Sequence, residues 1–185
     1  NLQAYSLSAE LFREVDAFGT NHPVLIVRVP SFPAWDADAV FKGCTLLIPF
    51  QDPSNVGAVI RSAAAFGVTN LVMLKEAAHP FHYKSTRSAG SALFRVPIFD
   101  GPSIQQLGSA KFPIITLSAE GENIRQFTFP ESFCLLPGIE GPGLPPKLRH
   151  LKSLSIPMEL GVESLNAALA TGIALYEWQR SRRKR

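Results

Sequence analysis

Three stretches of this sequence gather the side chains able to do polar chemistry. DPSNVGAVIRSAAAFG (52–67) sets Asn55 six residues before Arg61. LLPGIEGPG (135–143) places Glu140 among glycines, and IPMELGVESLNAALA (156–170) carries Ser164 and Asn166. Nothing in the set resembles a histidine–carboxylate base. An arginine keeps its proton in proteins, so Arg61 suits fixing a hydroxyl or phosphate and stabilising a developing oxyanion. It suits equally the salt bridge or phosphate contact that most helix-flank arginines make. Asn55 and Asn166 offer donors and acceptors together and can orient a polar group. Ser164 reads as a natural helix N-cap, with a role toward a ligand as the alternative.

The glycine turn, Gly138-Ile-Glu-Gly-Pro-Gly143, invites a phosphate-binding reading. The dinucleotide fingerprint is G-x-G-x-x-G after a first strand and at a helix start. Here the order is G-x-x-G-x-G, late in the chain, with Pro142 removing a backbone donor and no lysine–serine pair following. A dinucleotide-using oxidoreductase is therefore disfavoured. By pattern alone the segment is an ordinary tight turn.

A second kind of chemistry is suggested by HYKSTRSAGSALFR (82–95), where Lys84, Arg87 and Arg95 mix with His82, Tyr83 and Phe94. Cations beside aromatic rings suit single-stranded or looped RNA; a solvated loop is the plainer reading. His79 and His82 lack a nearby third ligand, so no metal is expected.

The elements that must hold these residues follow from periodicity. CTLLIPF (44–50) is a continuous apolar run, as in a strand buried on both faces. Asp52-Pro53 then supplies a cap and a first-turn proline, and Val56, Val59, Ile60, Ala63 and Gly67 form one helical stripe. LVML (71–74), VPIF (96–99), PIITLS (113–118), FCLLP (133–137) and LSIP (154–157) read as further strands, with a brief helix at IQQL (104–107). The last helix is predicted to begin near Ser164 and to bury Leu165, Leu169, Gly172/Ile173 and Tyr176. Such alternation implies an α/β fold: a parallel sheet with helices on both faces, whose ligands bind at the carboxyl ends of the strands. All three polar stretches lie there.

Composition sets the outer limits. The 185 residues are 46% hydrophobic and 18% charged, the profile of one globular domain with a small appendage. No apolar run is long enough to span a bilayer and no signal pattern opens the chain, so a cytoplasmic location without membrane contact is expected. Net charge is +3, yet Arg180, Arg182, Arg183, Lys184 and Arg185 supply five of the 18 positive residues; without them 13 stand against 15 negative ones, a net of −2. RNA contact, if any, must use local patches plus the tail, although positive charge at a helix C-terminus needs only the dipole to explain it. Cys44 and Cys134 sit in strand-like runs and are expected to be buried reduced thiols, with one disulfide as the alternative. Residues 1–43 look like the end of a domain: a helical stretch (7–18), a strand-like VLIVRV (24–29) and a linker, SFPAWDAD. Because Asn1 and not Met opens the chain, a leading segment is expected to be missing.

Taken together and in this order, the three stretches resemble the motifs of the SpoU/TrmH group of RNA ribose methyltransferases, over roughly residues 44 to 179. The resemblance implies a SPOUT-like parallel-sheet domain at 44–185 with a C-terminal deep trefoil knot, preceded at 1–43 by the end of an N-terminal substrate-binding domain plus linker. It implies S-adenosyl-L-methionine as cofactor, bent in the knot and held by Leu136, Gly138, Ile139, Gly143, Ile156, Met158 and Leu165. The catalytic set it implies is Arg61, Asn55, Glu140, Ser164 and Asn166. Lys84, Arg87, Ser88 and Gly90 resemble the group's run of lysine, arginine, serine and glycine, which makes the first three RNA-binding candidates. The reaction implied is methyl transfer to a ribose 2′-OH of structured RNA, ribosomal or transfer, by a homodimer. Two departures stand out: Ile139 replaces a small polar residue, and Ala167-Ala168 replace valine and serine. An inactive RNA-binding protein of the same fold is the alternative.

Overall fold

The computed structural model describes residues 3–16, 18–39, 41–107, 113–138 and 145–182. Two compact units make up the chain, Asn1–Ser31 and Phe32–Arg185. In the first, the Leu11 N–H donates to Ser8 Oγ and opens helix α1, Ala9–Val15, within the predicted 7–18. The predicted strand at 24–29 does not form, and Leu25, Ile26 and Val27 stand 69%, 89% and 59% exposed. Its apolar, β-branched composition favours a strand, but a strand needs a ladder partner for its N–H and C=O groups, and none exists among the described residues of this unit.

The second unit is a six-stranded, wholly parallel sheet. Its strands are β1 (Gly43–Ile48), β2 (Asn70–Met73), β3 (Ile98–Asp100), β4 (Ile114–Asn123), β5 (Ser132–Leu136) and β6 (Lys152–Ser155), in the order β3-β2-β1-β5-β4-β6. The chain winds outward from β1 through β2 to β3, then crosses to the other half. The reversal falls between β1 and β5, the place where parallel sheets open a crevice at their carboxyl ends.

Helix α2, Pro53–Phe66, follows β1 as expected. Ser54 N–H donates to Asp52 Oδ1 at 2.7 Å, Pro53 occupies the first turn and Gly67 closes the helix in the left-handed conformation. Its buried stripe is Val56, Gly57, Val59, Ile60 and Ala63. Helix α3, Tyr83–Ala89, and a 3-10 turn, Gly90–Phe94, occupy the stretch whose plainer reading was a loop, and Ser85, Ala89 and Leu93 are buried there. Gly57 makes this possible. A Cβ on it would lie 2.3 Å from the Ser85 carbonyl oxygen and 2.5 Å from Ser88 Cβ, so only glycine lets α3 press onto α2.

Helix α4, Ala167–Arg182, starts three residues later than predicted and buries a different stripe. Ala168, Thr171, Ala174, Leu175 and Trp178 face the core, whereas Leu169 and Tyr176 are about half exposed and Ile173 is half-buried. Both stripes are apolar, so periodicity cannot rank them. Trp178 decides, because its ring is the largest apolar surface on the helix. It lies edge-on to Phe133 at 5.8 Å, on the floor of the sheet.

The described α-helices of this unit all pack on one sheet face, with Leu46, Ile48, Leu71, Ile115 and Leu135 beneath them. The other face, with Leu47, Val72, Cys134 and Leu136, is covered by the 3-10 turns Ile104–Gln106 and Pro146–Leu148 and by Trp35. That corrects the expectation of helices on both faces, as far as the described residues go. Cys44 and Cys134 are free thiols in opposite cores and cannot meet across the sheet. Burial pushes both thiols up, Cys134 to about 12 and Cys44 well above its ordinary value, which leaves them protonated and unreactive.

Candidate functional site

At the carboxyl ends of β4, β5 and β6 a cleft of about 600 Å³ opens beside the start of α4. One wall is the end of β4. The ladder between β4 and β6 breaks there, since Leu154 pairs with Leu117 and again with Glu122. Ser118, Ala119, Glu120 and Gly121 therefore leave the ladder, as bulged strands do beside binding sites. Gly121 fixes the excursion. A Cβ on it would come within 2.5–2.7 Å of the Leu154 backbone, and its carbonyl accepts from Ser155 Oγ at 2.8 Å. This holds Ser118 and Ala119 as part of the wall.

The opposite wall comes from the segment after β6. Ile156, Met158, Ser164 and Leu165 line the cleft, then Asn166 and Ala167 at the helix start. Asn166, and not Ser164, is the N-cap of α4: its Oδ1 accepts from Leu169 N–H at 3.1 Å. The capping group is thus the residue directly before the first helical turn, and Ser164 stays exposed in the cleft. Asn166 does a second job. Its Nδ2 donates to Asn55 Oδ1 at 3.2 Å, tying the start of α4 to the first turn of α2 across 111 positions of sequence. Gly138, just past β5, completes the cleft; a Cβ there would reach 3.4 Å from the Leu117 carbonyl oxygen and narrow the entrance between β4 and β5.

Of the candidate residues, the structure gathers Gly138, Ile156, Met158, Ser164, Leu165 and Asn166 around one cleft, with Asn55 joined to it through Asn166. Leu136 is not a wall. Its side chain is wholly buried in the second core, because residues alternate along β5 and position 136 points away from the helices. Ile139, Glu140 and Gly143 lie outside the described residues. Arg61 does not line the cleft either. It is exposed on α2, with Nη2 3.1 Å from where a Gly90 Cβ would stand. Lys84 and Arg87 are exposed on α3, while Ser88 is half-buried against Gly57. The two histidines serve the backbone: His79 Nδ1 accepts from Phe81 N–H and His82 Nδ1 from Lys84 N–H, the latter capping α3.

Sequence reasoning missed Leu117, Ser118, Ala119 and Leu154. The usable signal was Gly121 shortly after a predicted strand end, combined with the rule that ligands sit at those ends. The described walls mix Leu117, Leu154, Ile156 and Leu165 with the hydroxyls of Ser118 and Ser164 and the amide of Asn166, and carry no Lys or Arg. Volume and lining suit a nucleoside-sized ligand: apolar contact for a flat ring and a few hydrogen-bonding groups to orient it. The lack of a cation also suits a ligand with a positively charged centre.

A second hollow, about 480 Å³, runs along the outside between α2 and α4, lined by Ala58, Phe66, Leu169, Gly172, Ile173 and Tyr176. It contains the predicted core stripe except Leu165, which lines the first cleft. Phe66 and Tyr176 meet edge-on at 5.9 Å.

Comparison with known proteins bears on this arrangement. The chain is 51% identical over 96% of its length to a Syntrophobacter fumaroxidans protein named ribosomal RNA small subunit methyltransferase G 2, of which it spans 35%. It is 31% identical over 95% of its length to the Bacillus subtilis 23S rRNA (guanosine(2553)-2′-O)-methyltransferase RlmP, of which it spans 72%. Among solved structures, the SpoU methyltransferase AviRb from Streptomyces viridochromogenes, in complex with the cofactor AdoMet, superposes with a TM-score of 0.70 at 31% identity, over 83% of this chain and 67% of that one. An AdoMet-bound rRNA methyltransferase from Sinorhizobium meliloti gives 0.67 at 30% identity, over 76% and 57%. Residues 44–176, which include all but the first residue of the sheet, the cleft, helix α2 and the first ten residues of α4, match the SpoU rRNA Methylase family, and the chain belongs to it.

Proposed function

We propose that this chain is an S-adenosyl-L-methionine-dependent methyltransferase that methylates a ribose 2′-OH of structured RNA, ribosomal or transfer. The observation that carries the reading is the cleft at the ends of β4, β5 and β6, whose described walls carry no charged side chain, with its Asn166–Asn55 bridge to the helix that bears Arg61. Relatives whose names specify 2′-O-methylation of 23S rRNA and a structural neighbour that binds AdoMet support it.

The cofactor, when bound, supplies an electrophilic methyl group on a sulfonium. Gly138, Ile156, Met158 and Leu165 would hold it, Leu165 and Ile156 against the adenosine. Ile139 and Gly143 would add backbone contacts from the glycine turn, and Glu140 would order the pocket; the same turn is where a trefoil knot would be drawn through. The protein's own part in the chemistry is alignment and charge. Arg61 fixes the ribose hydroxyl and its neighbouring phosphate, and stabilises the oxyanion as the proton leaves to solvent. Asn55, held by Asn166, orients the same group, and Ser164 contributes a hydroxyl at the rim. The Ala168 departure lies outside the described walls of the cleft, since that side chain is only 6% exposed and packs in the core.

Lys84, Arg87 and Ser88 are the proposed RNA contacts on α3. The outer groove between α2 and α4, with Leu169 and Tyr176 half exposed, is the proposed homodimer face. Residues 1–43 are read as the end of a substrate-binding domain, which the exposed Leu11, Val15, Leu25 and Ile26 support. A cytoplasmic setting is in keeping with two unpaired thiols, and no described helix is long and apolar enough to cross a membrane. The test is transfer of labelled methyl from S-adenosyl-L-methionine to RNA stripped of modifications, followed by digestion to nucleosides. Label in a 2′-O-methyl nucleoside supports the reading. No label from protein that still binds the cofactor would favour an RNA-binding protein of the same fold.

A further inference from the structure

We infer that the exposed ring of Phe94, backed by Phe81 and His79, is a stacking platform for an unpaired base of the RNA that docks on the α2–α3 face. The inference rests on the RNA reading above and narrows its substrate to a loop, bulge or single strand.

Phe94 is 76% exposed, the most exposed aromatic side chain described in the second unit. A phenylalanine so placed is costly to leave in water unless something covers it in the working state. It is also held. Phe81 meets it edge-on at 6.0 Å, and Phe81 is itself stacked on Phe32 at 6.1 Å, with the His79 ring 5.9 Å from Phe32. The buttress limits the ring's freedom before any partner arrives, which lowers the ordering cost of binding.

Charge identifies the partner. From Pro53 to Phe99 the sequence carries Arg61, Lys75, Lys84, Arg87 and Arg95 and a single carboxylate, Glu76. That carboxylate is occupied, accepting from Ser103 Oγ and from the Ile104 N–H. Without its C-terminal basic run the chain is net negative, whereas the stretch that bears Phe94 is net positive. Cations that follow a phosphate backbone beside a ring that stacks a base are the two parts of single-strand recognition. A continuous duplex keeps its bases stacked on each other and offers Phe94 no flat face.

The test compares a 20-nucleotide single-stranded oligouridylate with a fully paired duplex of equal length, titrated against the full chain at several salt concentrations. Phe94→Ala should weaken single-strand binding about tenfold or more, as removal of a base-stacking ring does. Its salt slope should not change, its affinity for the duplex should stay within twofold, and Phe94→Tyr should restore binding. Lys84→Gln and Arg95→Gln should each reduce the salt slope by about one, the signature of a lost phosphate contact. If the charge variants act and Phe94→Ala does not, the platform is overturned while the RNA face stands. If none of them alters binding, or the unaltered chain binds neither probe, the RNA face falls with it. A shift of Phe94→Ala toward monomer in sedimentation, with RNA affinity unchanged, would make the ring a contact between chains and overturn the inference.

Discussion

The cleft beside α4 and the α2–α3 face are built on opposite plans. The cleft is made of strand ends and turns, has no lysine or arginine among its described walls, and owes its shape to a broken ladder at Leu154. The helix face is made of two helices pressed together at Gly57 and carries nearly all its charge as cations. A concave site with no charge on its described walls suits a small ligand with its own positive centre; a basic helix face suits phosphates. The two meet at one described hydrogen bond, Asn166 to Asn55. The difference teaches that cofactor affinity and RNA affinity should be separable by mutation, with Asn55 and Asn166 as the hinge between them.

Trp178→Ala should have the largest effect, because it removes the anchor of α4 and damages both regions. Loss of so large a buried ring costs about 3–5 kcal/mol, read as a lower denaturation midpoint, with cofactor and RNA binding declining together. Gly57→Ala should be selective. Overpacking at the α2–α3 contact costs about 1–3 kcal/mol, and RNA affinity should fall while cofactor titration stays within twofold. Asn166 offers the sharpest division. Asn166→Ala should lose the cap, about 0.5–2 kcal/mol, whereas Asn166→Asp retains a capping oxygen but not the Nδ2 donor. The aspartate variant should therefore keep its stability and still turn over more slowly; equal turnover would show that the bridge to Asn55 does not matter. Smallest in effect on the folded chain is Tyr176→Ala, within about 0.5 kcal/mol as for other exposed side chains. Its consequence should appear instead as a weakened dimer in sedimentation.

Much of the α/β order was legible because it rests on local rules. The cap, proline and apolar stripe of α2 are all within 16 residues, and short apolar runs located the strands of the sheet. What failed depended on partners remote in sequence. The stripe of α4 could not be chosen without knowing that Trp178 meets Phe133, and the segment 24–29 could not be rejected without knowing that the described residues of its unit offer it no ladder partner. The site shows the same division. Side chains on the turns, such as Met158 and Leu165, were found from motif order, while Ser118 and Ala119 were hidden because a ladder break at Leu117 has no local signature beyond Gly121. The direction of the Leu136 side chain was hidden too, because the strand's alternation, not its motif, decides which way it points.

In the proposed reaction, methyl transfer uses Arg61 from the helix face on a cofactor held in the cleft beside α4. The direct measurement is cofactor affinity and single-turnover methyl transfer, side by side, for the unaltered chain and Arg61→Ala. For Arg61→Ala, cofactor affinity should stay within twofold while the transfer rate falls by about 10²–10³, the scale of losing one oxyanion-stabilising donor. A rate within a few-fold of the unaltered chain, or a parallel collapse of cofactor affinity, would contradict it.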